Sequence, residues 1–98
     1  MNIRKAFAKA LKDTRQAKGL TQEDFSEISS RTYMSSLERA LKSPTLDKID
    51  ELASVLNVHP VTLLIMSYTY VKKGESIDSL FKKVNDEARK IQNSHKTS

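Results

Sequence analysis

A short polar stretch in the first half of the chain, Ser30–Arg39, carries side chains suited to reading a nucleic acid. Tyr33, Met34 and Leu37 fall at i, i+1 and i+4, so a helix over this stretch (the reading helix) turns one side inward. The other side carries hydroxyls and one guanidinium, at Arg31, Thr32, Ser35 and Ser36. Such groups can hydrogen-bond base edges in a DNA major groove. The alternative interpretation is an ordinary solvated helix rich in serine.

The segment before the reading helix favours the first interpretation. Thr21 is followed three residues later by Asp24, a capping-box pattern that begins a helix, and this second helix is expected to end near Ser29. Ser30 can then cap the reading helix. Two helices joined by so tight a connection, the second with a polar outer face, predict a helix-turn-helix.

Apolar periodicity predicts helices on both sides of this pair. The first covers residues 3–18 and is stopped by Gly19. The fourth runs from a Thr45 cap to Leu56, with Asn57 as a left-handed terminator. The fifth starts at Pro60 and is apolar nearly all round, so it is either central to the core or shared with a partner.

A last amphipathic helix is predicted after the sequence Lys72-Lys73-Gly74-Glu75. Ser76 caps it, and its apolar stripe consists of Ile77, Leu80, Phe81, Val84, Ala88 and Ile91. We expect a helix-turn-helix domain over residues 1–69, a connector over 70–75, and a C-terminal helix over 76–98 that supports a dimer. Residues 93–98 are polar and are expected to fray.

The charge is distributed unevenly along the 98 residues. The net charge is +5; residues 1–45 hold nine basic and five acidic residues, whereas residues 46–98 hold eight and seven. A basic region around the reading helix would attract polyphosphate, although modest positive charge also occurs in proteins that bind no nucleic acid.

The amino-acid composition argues against several classes of function. No cysteine is present, which excludes thiolate metal sites and disulfides. His59 and His95 stand apart without a metal-ligand pattern, and no serine has a histidine and an acid beside it, so we expect no enzyme, metal or cofactor. The apolar run Val61–Met66 is too short to span a bilayer, and the N-terminus lacks a signal sequence, so we expect a cytoplasmic protein without membrane contact.

An ordered set of residues gives these helices a family resemblance. The set is Leu11, Arg15, Gly19-Leu20-Thr21-Gln22-Glu23, Tyr33-Met34, Leu37-Glu38-Arg39, Pro44-Thr45-Leu46, Leu52-Ala53, Leu56-Asn57-Val58 and Pro60. In this order and spacing, residues 11–64 resemble the helix-turn-helix domain of the phage repressor and Cro family, the XRE type. The resemblance implies an all-α, five-helix repressor-like DNA-binding bundle, to which this chain adds its C-terminal helix.

The resemblance also implies roles for individual residues. The third helix of the family enters the major groove. Carried over, the base-reading residues are Arg31, Thr32, Ser35 and Ser36. The implied phosphate contacts are Gln22, Arg39, Lys42 and Lys48. Arg15 and Glu38 match a buried ion pair between the first and third helices. The chain departs from the family in three places. The turn before the reading helix is about two residues shorter and lacks its glycine, Ala40 replaces the glycine that usually ends that helix, and His59 stands where a better helix cap is usual.

The function that follows is a bacterial or phage-type transcriptional regulator, associated with the nucleoid when bound. It would bind an operator in double-stranded DNA as a homodimer built on the fifth helix, with the last helix reinforcing it. The alternative is an antitoxin or another interaction module. In that case the last helix would bind a protein partner, and DNA binding would serve autoregulation.

Overall fold

The computed structural model describes residues 1–95, and within that range all regular secondary structure is helical, as predicted. Residues 96–98, the end of the stretch expected to fray, lie outside the described range. The elements, in chain order, are α1 (Ile3–Ala17), a 3₁₀ helix (Gln22–Phe25), α2 (Arg31–Glu38), α3 (Leu46–Leu56), α4 (Pro60–Val71) and α5 (Ile77–Ser94).

Each α-helix begins where a side chain can accept a hydrogen bond from the first turn. The acceptor oxygens belong to Asn2, Ser30, Thr45 and Ser76, each 2.9–3.1 Å from a backbone nitrogen three residues ahead. At the start of α4 the acceptor is instead Nδ1 of His59, 3.0 Å from the backbone nitrogen of Val61. The caps predicted at Ser30, Thr45 and Ser76 are therefore confirmed.

Three helices end on a residue in the left-handed region. Gly19 follows α1 with φ +69°, Asn57 ends α3 with φ +56°, and Ala40 follows α2 with φ +59°. After each one the chain closes a hydrogen bond back to the helix: Leu20 N to Arg15 O, Val58 N to Ala53 O, and Leu41 N to Ser36 O. Glycine and asparagine adopt this conformation readily, whereas alanine is strained in it. The end of α2 therefore stores backbone strain that the other two ends avoid.

The second helix is shorter than predicted. The sequence predicts a helix that ends near Ser29, but a single 3₁₀ helix ends at Phe25, and residues 26–28 form a turn. Serines at 26 and 29 compete with the backbone for hydrogen bonds and weaken a helix here. Ser30 must also be extended, with φ −72° and ψ 156°, in order to cap α2. The short connection leaves no room for another helical turn.

One apolar core joins α1, the 3₁₀ helix, α2, α3 and the start of α4. Its buried members are Phe7, Leu11, Phe25, Met34, Leu37, Ile49, Leu52, Ala53, Leu56 and Leu63. α4 packs most extensively on α1 and continues to Val71, so it includes residues 70–71 of the expected connector. Only Leu63 and Ser67 of α4 are fully buried, and most of its other apolar side chains are left partly exposed.

α5 stands apart from this core. Although it is the longest helix described, none of its residues is buried, and its main contact is with α4. The radius of gyration is 15.1 Å, compared with about 13 Å for a compact domain of this length. Within residues 1–95, no single helix is long and apolar enough to cross a bilayer; α3 and α4 would meet that test only jointly, and they are bent by 105°.

Candidate nucleic-acid interface

The polar side of α2 forms a continuous outward surface. Positions 31, 32, 35 and 36 are spaced as i, i+1, i+4 and i+5, so they share one side of the helix, while Met34 and Leu37 are buried on the other. Arg31 and Thr32 are exposed, and Ser35 and Ser36 are half-buried. We call these four residues the reading face.

Arg31 is held only loosely by its surroundings. Its side chain is 79% exposed, and Nη1 lies 4.0 Å from a carboxylate oxygen of Glu23, itself exposed, on the 3₁₀ helix. An exposed ion pair at this separation contributes little to stability. A cation in the first turn of a helix is also disfavoured by the helix dipole. The guanidinium is therefore available to an acceptor from outside the protein.

The inward side of α2 is fixed by a buried carboxylate. Glu38, whose side chain is 4% exposed, accepts two hydrogen bonds from Arg15, at 2.6 Å from Nε and 2.9 Å from Nη2. Gln22 donates a third hydrogen bond to Glu38 at 3.2 Å, and Arg15 also donates to the backbone oxygen of Leu20 at 3.0 Å. Hydrogen bonding to Glu38 raises the pKa of the Arg15 guanidinium. α1, the following loop and the 3₁₀ helix thus converge on one residue of α2.

A tyrosine of α2 has two lysines close to its ring. Tyr33 is half-buried, with Nζ of Lys42 5.8 Å from the ring centroid and Nζ of Lys48 5.7 Å from it. Both distances are within the range of cation–π attraction. The sequence predicts Tyr33 as a core residue, and it does pack against the core. The two ammonium groups near its ring place positive charge beside α2.

The four expected phosphate contacts differ in how accessible they are. Arg39 and Lys42 are exposed. Gln22 is half-buried and bound to Glu38. The side chain of Lys48 is 20% exposed; its Nζ donates to the backbone oxygen of Ile28 and lies 3.1 Å from Glu51. Gln22 and Lys48 would therefore have to exchange an existing partner for a phosphate.

A second polar cluster, between α1 and α4, is not evident from the sequence. One carboxylate oxygen of Asp13 lies 2.7 Å from Nζ of Lys9 and accepts a hydrogen bond from the Tyr70 hydroxyl at 2.9 Å. The bond from Lys9 lowers the pKa of Asp13, and burial together with the bond to Asp13 raises the pKa of Tyr70. The i,i+4 spacing of Lys9 and Asp13 is legible in the sequence, but Tyr70 follows 57 residues later. This cluster ties the end of α4 to α1.

An apolar groove runs between α4 and α5. It has a volume of about 430 Å³ and is lined almost entirely by apolar surface. The lining residues are His59, Val61, Thr62, Ile65, Met66, Ile77 and Phe81. Further along α5, the apolar side chains of Val84 and Ile91 are also exposed. In the described part of the chain, no three His, Asp or Glu side chains are grouped as metal ligands.

Two comparisons with known proteins found similar sequences. A family model described as "Helix-turn-helix" matches residues 11–63, which is more than half of the chain. The chain is also 41% identical over 66 residues to the uncharacterized HTH-type transcriptional regulator y4dJ of Sinorhizobium fredii, an alignment that covers 65% of this chain and 86% of that protein. No solved structure matches significantly.

Proposed function

Because the chain belongs to the XRE-type helix-turn-helix family of DNA-binding transcriptional regulators, we propose that it binds a specific operator as a homodimer. In this proposal residues 1–69 form the DNA-binding domain, and α2 enters the major groove. The observation that carries the proposal is the reading face, a polar and outward side on a helix whose opposite side is fixed to the core.

Each member of the reading face has a stated role in this proposal. Arg31 binds a guanine, whose O6 and N7 each accept one hydrogen bond from the guanidinium. Thr32, Ser35 and Ser36 supply short hydroxyls that read neighbouring base edges. Arg39 and Lys42 bind phosphates and fix the register of the complex without reading sequence. Gln22 also binds a phosphate, once it has given up its hydrogen bond to Glu38.

The test of base reading is a single truncation. Arg31→Ala should weaken binding to the specific operator by about 1–3 kcal/mol and relax the preference at one base pair, because it removes a bidentate contact. The measurement is a titration of operator variants by fluorescence anisotropy. The matched control is Arg4→Ala, an exposed arginine on α1, which should leave base preference unchanged. Unchanged affinity and unchanged preference in Arg31→Ala would contradict the proposed docking of α2.

The homodimer is proposed from the uncovered apolar surface of α4 and α5. Ile77, Phe81, Val84, Ala88 and Ile91 are spaced alternately four and three residues apart, which is the spacing of a coiled-coil seam. Such a seam can pair with a second copy of itself about a two-fold axis. α5 holds four basic and three acidic residues, so two copies repel each other little. A dimer would place two reading helices at half-sites about 34 Å apart.

The test of the dimer adds one charge to the seam. Phe81→Asp should convert a dimer to a monomer in analytical ultracentrifugation and weaken operator binding, because a carboxylate cannot be buried there without a partner. Ser79→Asp adds the same charge on the opposite side of α5 and should leave the mass unchanged. A wild-type protein that stays monomeric at high concentration would refute the dimer. Stoichiometric co-purification of a second protein, lost in Phe81→Asp, would instead favour the antitoxin alternative.

A further inference from the structure

Lys48 occupies a position where a positive charge is unexpected. It is the third residue of α3, in the first turn, where the helix dipole disfavours a cation. Its side chain is mostly buried, whereas an ordinary surface lysine keeps its ammonium in water. A cation in this place needs compensating partners, and those partners indicate what the residue does.

The partners of Lys48 come from three different segments. Its ammonium donates to the backbone oxygen of Ile28, in the turn that precedes α2. It lies 5.7 Å from the ring centroid of Tyr33, in the first turns of α2. It also lies 3.1 Å from the carboxylate of Glu51, one turn further along α3. One ammonium therefore joins the turn, the reading helix and α3.

The carbonyl of Ile28 is the decisive partner. In residues 1–95, no backbone amide donates to it, because the 3₁₀ helix has already ended and α2 has not begun. Ile28 is half-buried against the core, and the hydrogen bond that its carbonyl accepts from Lys48 is partly buried. A partly buried carbonyl without a donor costs free energy, and a charged donor restores more than a neutral one.

We infer that Lys48 is a positioning residue, which fixes the shortened turn before α2 and so sets the orientation of the reading face. This role replaces a phosphate contact for Lys48 and, where it concerns DNA, rests on the proposed function. The connection between Phe25 and Arg31 has only five residues and no glycine. The turn makes its own backbone hydrogen bonds to Glu23 and Phe25, and Lys48 adds a tertiary constraint from α3.

The first experiment uses the free protein. Lys48→Met keeps the length of the side chain and removes its donor. Backbone amide hydrogen exchange at Ser29, Tyr33 and Met34 should become about tenfold faster, because the lost bond has a charged donor. Lys48→Arg should restore protection, since a guanidinium also donates to a carbonyl. The matched control is Lys42→Met, which removes the other cation beside Tyr33 and should leave these three amides unchanged.

The second experiment measures operator affinity against salt concentration. Lys48→Met should bind about tenfold more weakly with an unchanged salt slope, because no phosphate contact is lost. A slope smaller by about 0.9 with normal amide protection would show that Lys48 binds phosphate, and it would overturn the inference. Unchanged exchange and unchanged affinity would also overturn it. If the wild-type protein bound no duplex, the proposed function would fail, while the exchange data would still decide the role of Lys48 in the turn.

Discussion

The helices α2 and α5 are both amphipathic, but they differ in length, in burial and in how they are attached to the core. α2 has eight residues, buries Met34 and Leu37, and is fixed by Arg15 at its C-terminal end. α5 has eighteen residues and buries none. An apolar stripe therefore identifies a helix and its apolar side, but not the surface that covers that side. The rest of the chain covers the apolar side of α2. For α5 we propose that a second copy of the protein covers it.

The largest expected difference is in the free energy of unfolding. Leu37→Ala should destabilise the monomeric protein by about 3 kcal/mol, because the side chain is 1% exposed and its loss leaves a cavity in the core. Phe81→Ala, at a position 58% exposed, should change stability by less than about 0.5 kcal/mol under the same conditions. Urea denaturation at low protein concentration measures both. Equal losses would contradict the contrast between α2 and α5.

Replacing alanine by glycine should have a smaller effect on stability, with opposite signs in the two helices. Ala40→Gly should stabilise the protein by about 1 kcal/mol, because it relieves the left-handed strain at the end of α2. Ala88→Gly, at an exposed position inside α5, should cost about 1 kcal/mol, because glycine is a poor helix former. Thermal unfolding monitored by circular dichroism measures both changes. A neutral Ala88→Gly would indicate that α5 is not a stable helix in the monomer.

The smallest expected effect concerns pH and the cluster between α1 and α4. The pKa of Asp13 is lowered by Lys9 and Tyr70, so the ionised carboxylate stabilises the folded state above its usual pKa of about 3.9. That contribution is lost as pH falls through the lowered pKa. Asp13→Asn should therefore cost under about 1 kcal/mol at pH 6, after discounting for solvent exposure, and less at pH 2. Asp86→Asn is the control, since its ion pair with Lys82 lies within α5. A cost that grew toward low pH would contradict this account.

Local chemistry could be predicted from the sequence, whereas distant pairing could not. The caps at Ser30 and Thr45 and the terminator Asn57 were legible because each acts on backbone within a few residues. The separation of 23 residues between Arg15 and Glu38 carries no local signal, and the expectation of that pair came only from the family resemblance. No pattern indicated that Lys48 donates to Ile28, because a lysine in an exposed-looking first turn has many possible partners.

The limits of periodicity also explain why the predicted second helix was too long. Phe25 and Ile28 are spaced like the inward residues of an α-helix, and both do contact the core. That contact is satisfied equally well by a 3₁₀ helix followed by a turn. The spacing of inward residues therefore located the segment correctly but did not determine its hydrogen bonding.

The convergence of Arg15 and Gln22 on Glu38 separates two properties of α2 that are usually linked. Met34, Leu37 and Glu38, which attach the helix to the core, lie on its inner side, and none of them belongs to the reading face. The outer side chains can therefore be exchanged without altering the attachment. Under the proposed function, new operator preferences could evolve, or be engineered, by changing four codons while the scaffold keeps its stability.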